Sequence, residues 1–147
     1  MKKILFLLNA AVWLLASCEG PAGRDGIDGE IYWFVKEYNV SSDRWELVND
    51  VEPFGSYFQY SITVPELDQG IFKRGNVFCY MYRGANVQTP LPFTIHYVEK
   101  NGNTDYFWTE TYTFELSPRT ITFYVNYNDF KTGIRPPDTT FRVVLND

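Results

Sequence analysis

Apolar and polar residues alternate with a period of two through most of the chain from residue 31 onward. Phe58, Tyr60, Ile62 and Val64 interleave with Tyr57, Gln59, Ser61 and Thr63; Ile121, Phe123 and Val125 interleave with Thr122, Tyr124 and Asn126. Successive side chains of an extended strand point to opposite faces, so the pattern predicts antiparallel strands buried on one face. β-Branched and aromatic residues fill the same windows and mark strands at 31–38, 44–48, 56–64, 76–83, 93–100, 105–116, 120–127 and 139–145. Asn101-Gly102, between two of these, predicts a hairpin; Pro53, Pro65, Pro90, Pro92, Pro118, Pro136 and Pro137 punctuate the other gaps. No window carries the apolar period of an amphipathic helix of ordinary length. About eight short strands over residues 31–147 predict an all-β fold, a single antiparallel β-sandwich, with a barrel as the second choice.

The first thirty residues break this pattern. Lys2 and Lys3 precede an apolar run from Ile4 to Leu15, interrupted only by Asn9, and small residues Ala16 and Ser17 follow. This is the order of a secretory signal peptide, and the run falls short of the roughly 20 apolar residues of a membrane-spanning helix. Leu15-Ala16-Ser17-Cys18 resembles the lipobox of bacterial lipoproteins, in which the cysteine is acylated and becomes the mature N-terminus. Residues 1–17 are therefore expected to be a lipoprotein signal peptide and Cys18 the site of lipid attachment. Several acyl chains hold a protein at a membrane where one does so only marginally, so the resemblance implies permanent anchoring.

Glycine then falls at every third position, in Gly20-Pro21-Ala22, Gly23-Arg24-Asp25, Gly26-Ile27-Asp28 and Gly29. Period three is what the crowded axis of a collagen triple helix requires, because only glycine fits there. A phosphate-binding loop does not fit the spacing, since neither its lysine nor a following helix pattern is present. Residues 18–30 thus read as a lipidated cysteine and a short extended tether, with the β domain at 31–147. So few triplets offer few interchain contacts against an ordering cost of about 1–2 kcal/mol per residue, and a monomer is expected. Lipobox, triplets and the C-terminal strand Thr140-Phe141-Arg142-Val143-Val144-Leu145 together resemble the collagen-like lipoproteins of the Bacteroidota. The resemblance implies a lipid-anchored place at the outer membrane, periplasmic or cell-surface facing, and brings no activity with it.

Charge narrows the partners. The chain carries a formal net charge of −5, and losing Lys2 and Lys3 with the leader makes it more acidic. An acidic domain without a basic cluster argues against nucleic acid as a ligand. Of the two cysteines, Cys18 is assigned to lipid, which leaves Cys79 without an intrachain partner and alternating with Val77 and Met81 as a small core residue. The single histidine, His96, lies with Thr94 and Val98 on the face opposite Phe93, Ile95 and Tyr97, as a surface imidazole. No Cys/His cluster has zinc spacing, and Asn101-Gly102-Asn103-Thr104-Asp105 has tyrosine where a calcium loop needs its glycine and its bidentate glutamate. Glu110 and Glu115 face opposite sides of one strand and cannot form a glycosidase pair without a bulge, and Glu99 or Asp105 can partner Glu110 only if register allows it. No catalytic residue, metal site or cofactor is expected, and the chain is read as other than an enzyme.

One strand keeps a ligand hypothesis alive. Between Asp105 and Phe114 the even positions place Tyr106, Trp108, Glu110 and Tyr112 on one face, an aromatic strip with a carboxylate such as a sheet offers to sugar rings. The same strip also fits the core face, with Glu110 at a bulge or at the rim of the sandwich. Two functions follow: a structural or protein-interaction module of the cell envelope or, as the alternative, a glycan- or small-ligand-binding module.

Overall fold

The computed structural model describes residues 33–51, 55–129 and 132–146; the leader, Cys18 and the glycine triplets lie outside the described residues. The described residues all belong to the unit Ile31–Asp147. Among them the strands are β1 (Trp33–Val40), β2 (Glu46–Val51), β3 (Gly55–Thr63), β4 (Asn76–Tyr82), β5 (Gln88–Pro90), β6 (Phe93–Asn101), β7 (Thr104–Ser117), β8 (Thr120–Tyr127) and β9 (Thr139–Asn146). They form a four-stranded sheet, β1-β9-β4-β5, and a five-stranded sheet, β2-β3-β8-β7-β6. Every pairing is antiparallel, and the two sheets pack face to face as a β-sandwich.

Period-two burial builds the core. β8 buries Ile121, Phe123, Val125 and Tyr127, and β9 buries Phe141, Val143 and Leu145. These central strands meet ring to ring, Phe123 stacking on Phe141 with centroids 4.0 Å apart and planes at 8°. Trp45, just before β2, meets Phe141 and Tyr60 edge-on at 6.1 and 6.3 Å. Aromatic pairs in such geometries add to the stabilisation from area burial alone.

Three elements were not expected, the first a single 3-10 turn at Ser42–Arg44 that delays the strand predicted from residue 44. β5 is three residues long and ends on Pro90, too short for an alternation to register. A six-residue helix, α1 (Gln69–Arg74), is set by its cap: the Asp68 carboxylate accepts from the backbone N–H groups of Gly70 and Ile71 at 2.7 and 2.9 Å, satisfying donors that a helix start leaves unpaired. The helix stops at Gly75, where a Cβ would come within 2.6 Å of the Asn146 carbonyl oxygen. The predicted hairpin is present but one residue further on: Asn101 pairs with Thr104, and the loop is Gly102-Asn103. Gly102 takes a φ of 63°, which glycine adopts at the first position of a tight hairpin turn without steric cost.

Candidate functional site

β7 is longer than the strand beside it. It pairs with β8 from Ser117↔Thr120 to Glu110↔Tyr127, whereas β6 follows it from Phe93↔Tyr112 to Asn101↔Thr104. The side of β7 away from β6 is closed at Thr109, which exchanges hydrogen bonds with the backbone N–H and side-chain oxygen of Asn128 at 3.2 and 2.8 Å. Beyond that point β6 and β7 run on as a two-stranded arm. The residues of the predicted ligand strip are spread along this transition from core to solvent.

At the arm, Tyr106 is 51% exposed. One pair inward, Trp108 is half-buried and stacks on its cross-strand partner Tyr97, with centroids 4.2 Å apart and planes at 15°. Tyr127 meets the same indole at 5.9 Å, so Trp108 spends its faces on internal neighbours. Glu110 and Tyr112 are buried. Glu110 pairs in unbroken register with β6 and with the last residue of β8, so no bulge accounts for it, and its burial sets it apart from a rim that water reaches.

Tyrosines make a carboxylate tolerable at this depth. The hydroxyls of Tyr97 and Tyr112 donate to Glu110 Oε2 at 3.1 and 3.3 Å, and that of Tyr127 is shared between Glu110 and the Ile134 carbonyl oxygen. Burial, reinforced by the neighbouring Glu110 charge, raises all three phenols above their ordinary value. They stay protonated and serve as donors. A buried acidic group surrounded by donors is a satisfied core element, with its polar capacity used internally.

Cys79 and His96 fall where their patterns placed them. Cys79 is buried in the core and burial pushes its thiol up to about 12, which holds it as an unreactive thiol at neutral pH. His96 is exposed on the outer face of β6, opposite Thr109.

The sheet edges carry a signal that sequence reading missed. β1 carries Lys36 on its inner face, opposite core residue Val143. β2 has a register shift between Val48 and Val51, and β5 is a three-residue strand containing Pro90. Inward charge, irregular register, shortness and proline are the means by which sheets prevent further strands from adding. β6 runs nine residues in continuous register with β7, and its stretch Phe93–Val98 contains none of these devices. Among the described residues nothing pairs with its outer side. Next to this edge the arm exposes the cross-strand pair Val98 and Phe107, 55% and 71% accessible. Phe107 shares its face of β7 with Thr109, Thr111 and Thr113, an aromatic where threonine would have served, and that was the clue in the sequence.

Compared with protein-family models, with curated proteins and with solved structures, the chain matches none.

Proposed function

We propose that this chain is a lipid-anchored protein of the outer membrane whose β-sandwich docks a partner protein by strand addition at β6. The leader, the lipobox at Cys18 and the glycine triplets support the anchoring half of this reading. Extended at about 3.1 Å per residue, the tether would carry the domain roughly 30 Å from the bilayer. The observation that carries the docking half is the contrast among edges: β1, β2 and β5 are each guarded, and β6 is open beside exposed Val98 and Phe107. An extended segment laid along β6 would gain main-chain hydrogen bonds, while Val98 and Phe107 would supply the apolar contact that such recognition uses for selectivity.

Two measurements test the halves separately. Cys18→Ala is expected to move the protein from the membrane to the soluble fraction; a variant that stays membrane-bound and uncleaved overturns the anchor. For docking, a photo-crosslinking residue at position 107 in the native envelope is expected to capture a discrete partner band, with none from position 126 on the outer face of β8. The double change His96→Lys and Val98→Lys guards the edge and is expected to abolish that band while leaving the thermal transition in place. Equal capture from both positions, or capture that survives the guarded edge, rules out docking at β6.

A further inference from the structure

The outer face of the four-stranded sheet is graded along its strands. Register places Val35, Val144 and Phe78 in one row, Glu37, Arg142 and Tyr80 in the next, and Asn39 beside Thr140 in the third. Tyr82 and its partner Gln88 continue the polar end on β4 and β5. The β4–β5 loop that follows Tyr82 is closed by the Arg83 N–H donating to the Val87 carbonyl oxygen at 2.8 Å. Asp138, which precedes β9, is tied down by the Ser42 N–H donating to its Oδ1 at 2.7 Å. Glu37, Asn39, Tyr82, Gly84, Asp138 and Thr140 line an open, shallow cleft of about 460 Å³ at this end of the sheet. That is room for a ring or two of a polar ligand.

Its polar groups are ordered before any ligand arrives. Arg142 Nη1 donates to Gln88 Oε1 at 2.8 Å, Gln88 Nε2 to the Tyr82 hydroxyl at 2.9 Å, and Tyr82 to Glu37 Oε1 at 2.5 Å. The relay crosses β9, β5, β4 and β1 and fixes one oxygen of the Glu37 carboxylate. Hydrogen bonding to Glu37 raises the Tyr82 phenol above its ordinary value, which keeps it a donor in this relay. Thr140 likewise donates to Asn39 Oδ1 at 2.7 Å and turns the amide NH2 of Asn39 outward from that bond. A carboxylate accepts through two oxygens and an amide donates through two hydrogens. Glu37 Oε2, Asp138 Oδ2 and the Asn39 amide therefore retain capacity toward the cleft.

That set selects a ligand chemistry. Two carboxylates repel phosphate and other anions. Arg142, cross-strand neighbour of Glu37, offsets its charge and weakens the attraction for a cation. Two acceptors and a donor lining one cleft match adjacent hydroxyls, which donate and accept at once, and Tyr82 in the same lining offers an aromatic ring to C–H groups. We infer that this cleft is a binding site for a neutral saccharide. It lies on the opposite sheet from the β6 edge and does not depend on protein docking there.

The full chain, held in lauryldimethylamine oxide micelles, would be titrated by two-dimensional NMR with glucose, galactose, mannose, xylose and N-acetylglucosamine, each as monosaccharide and as linear tetrasaccharide. Inorganic phosphate and spermidine run alongside. At least one neutral saccharide is expected to give saturable shifts at the amides of Glu37, Asn39, Tyr82, Gly84 and Thr140. Glu37→Gln and Asn39→Ala each remove one partner from an exposed position and are expected to weaken that saccharide about tenfold with an unchanged spectrum elsewhere. Tyr82→Phe keeps the ring but releases Glu37, and weakens it by a smaller factor. Saturation by spermidine or phosphate alone, shifts centred on Trp108 and Tyr106, or no saturable shift from any saccharide overturns the site.

Discussion

Glu110 and Glu37 are both held by tyrosine hydroxyls, and their surroundings set them to different uses. Glu110 lies inside the five-stranded sheet's core face, 5% exposed, with Tyr97, Tyr112 and Tyr127 turned toward it. Glu37 stands on the outer face of the other sheet, exposed, with Tyr82 fixing one oxygen. In the first cluster every hydroxyl is spent on making burial tolerable. In the second, one hydroxyl orients a carboxylate that water and ligands can still reach. The same pair of side chains is thus a piece of the core where donors saturate the acid and an accessible acceptor where they do not.

The largest expected difference between the clusters is in stability. Glu110→Ala strands buried hydroxyls and opens a cavity, and is expected to cost about 3 kcal/mol in chemical denaturation. Glu37→Gln should stay within about 0.5 kcal/mol of the unaltered protein, as exposed substitutions do. Equal costs would erase the distinction. Trp108→Ala comes next, at about 2 kcal/mol, below the range for fully buried tryptophan because Trp108 is only half-buried while stacked on Tyr97.

Alkaline pH separates the clusters without mutation. The buried phenols are raised, so the native state keeps protons that the unfolded chain releases above pH ~10. Their stabilisation is present in full below that value and is lost as pH rises through the native values. For Tyr112 alone, stability should fall by about 1.4 kcal/mol per pH unit above ~10. Urea midpoints between pH 9 and 11 read this slope, and Tyr112→Phe should flatten it. At neutral pH that substitution removes one hydrogen bond to Glu110 and is expected to cost about 1 kcal/mol. Tyr82→Phe gives the smallest effect, a change in saccharide affinity with no resolvable change in the thermal transition.

How much of this was legible beforehand follows from the range of the signals. Alternation at Phe58-Tyr60-Ile62 and Ile121-Phe123-Val125 encoded strands and their buried faces, because strand burial repeats every two residues within a single segment. The leader pattern and the glycine period are likewise contiguous and can be read without a fold. Tyr106, Trp108, Glu110 and Tyr112 were found together because they share one strand, but alternation alone left their common face open between ligand and core, and the structure spreads it from exposed Tyr106 to buried Tyr112. That Glu110 would be satisfied by Tyr97 and Tyr127 was not readable, since those partners come from β6 and β8 and their register is a tertiary fact.

The cleft and the open edge belong wholly to the tertiary structure. Glu37, Tyr82, Gln88 and Arg142 are scattered over more than a hundred residues, with no spacing that marks them, and they meet only because β9 inserts between β1 and β4. Whether β6 is an edge or an interior strand depends on which strands pair beside it, and nothing in Phe93–Asn101 records that. Local periodicity determined what kind of strands this chain makes and which way each one faces. Long-range pairing decided which strands became neighbours, and with that, which carboxylate was buried and which was left exposed.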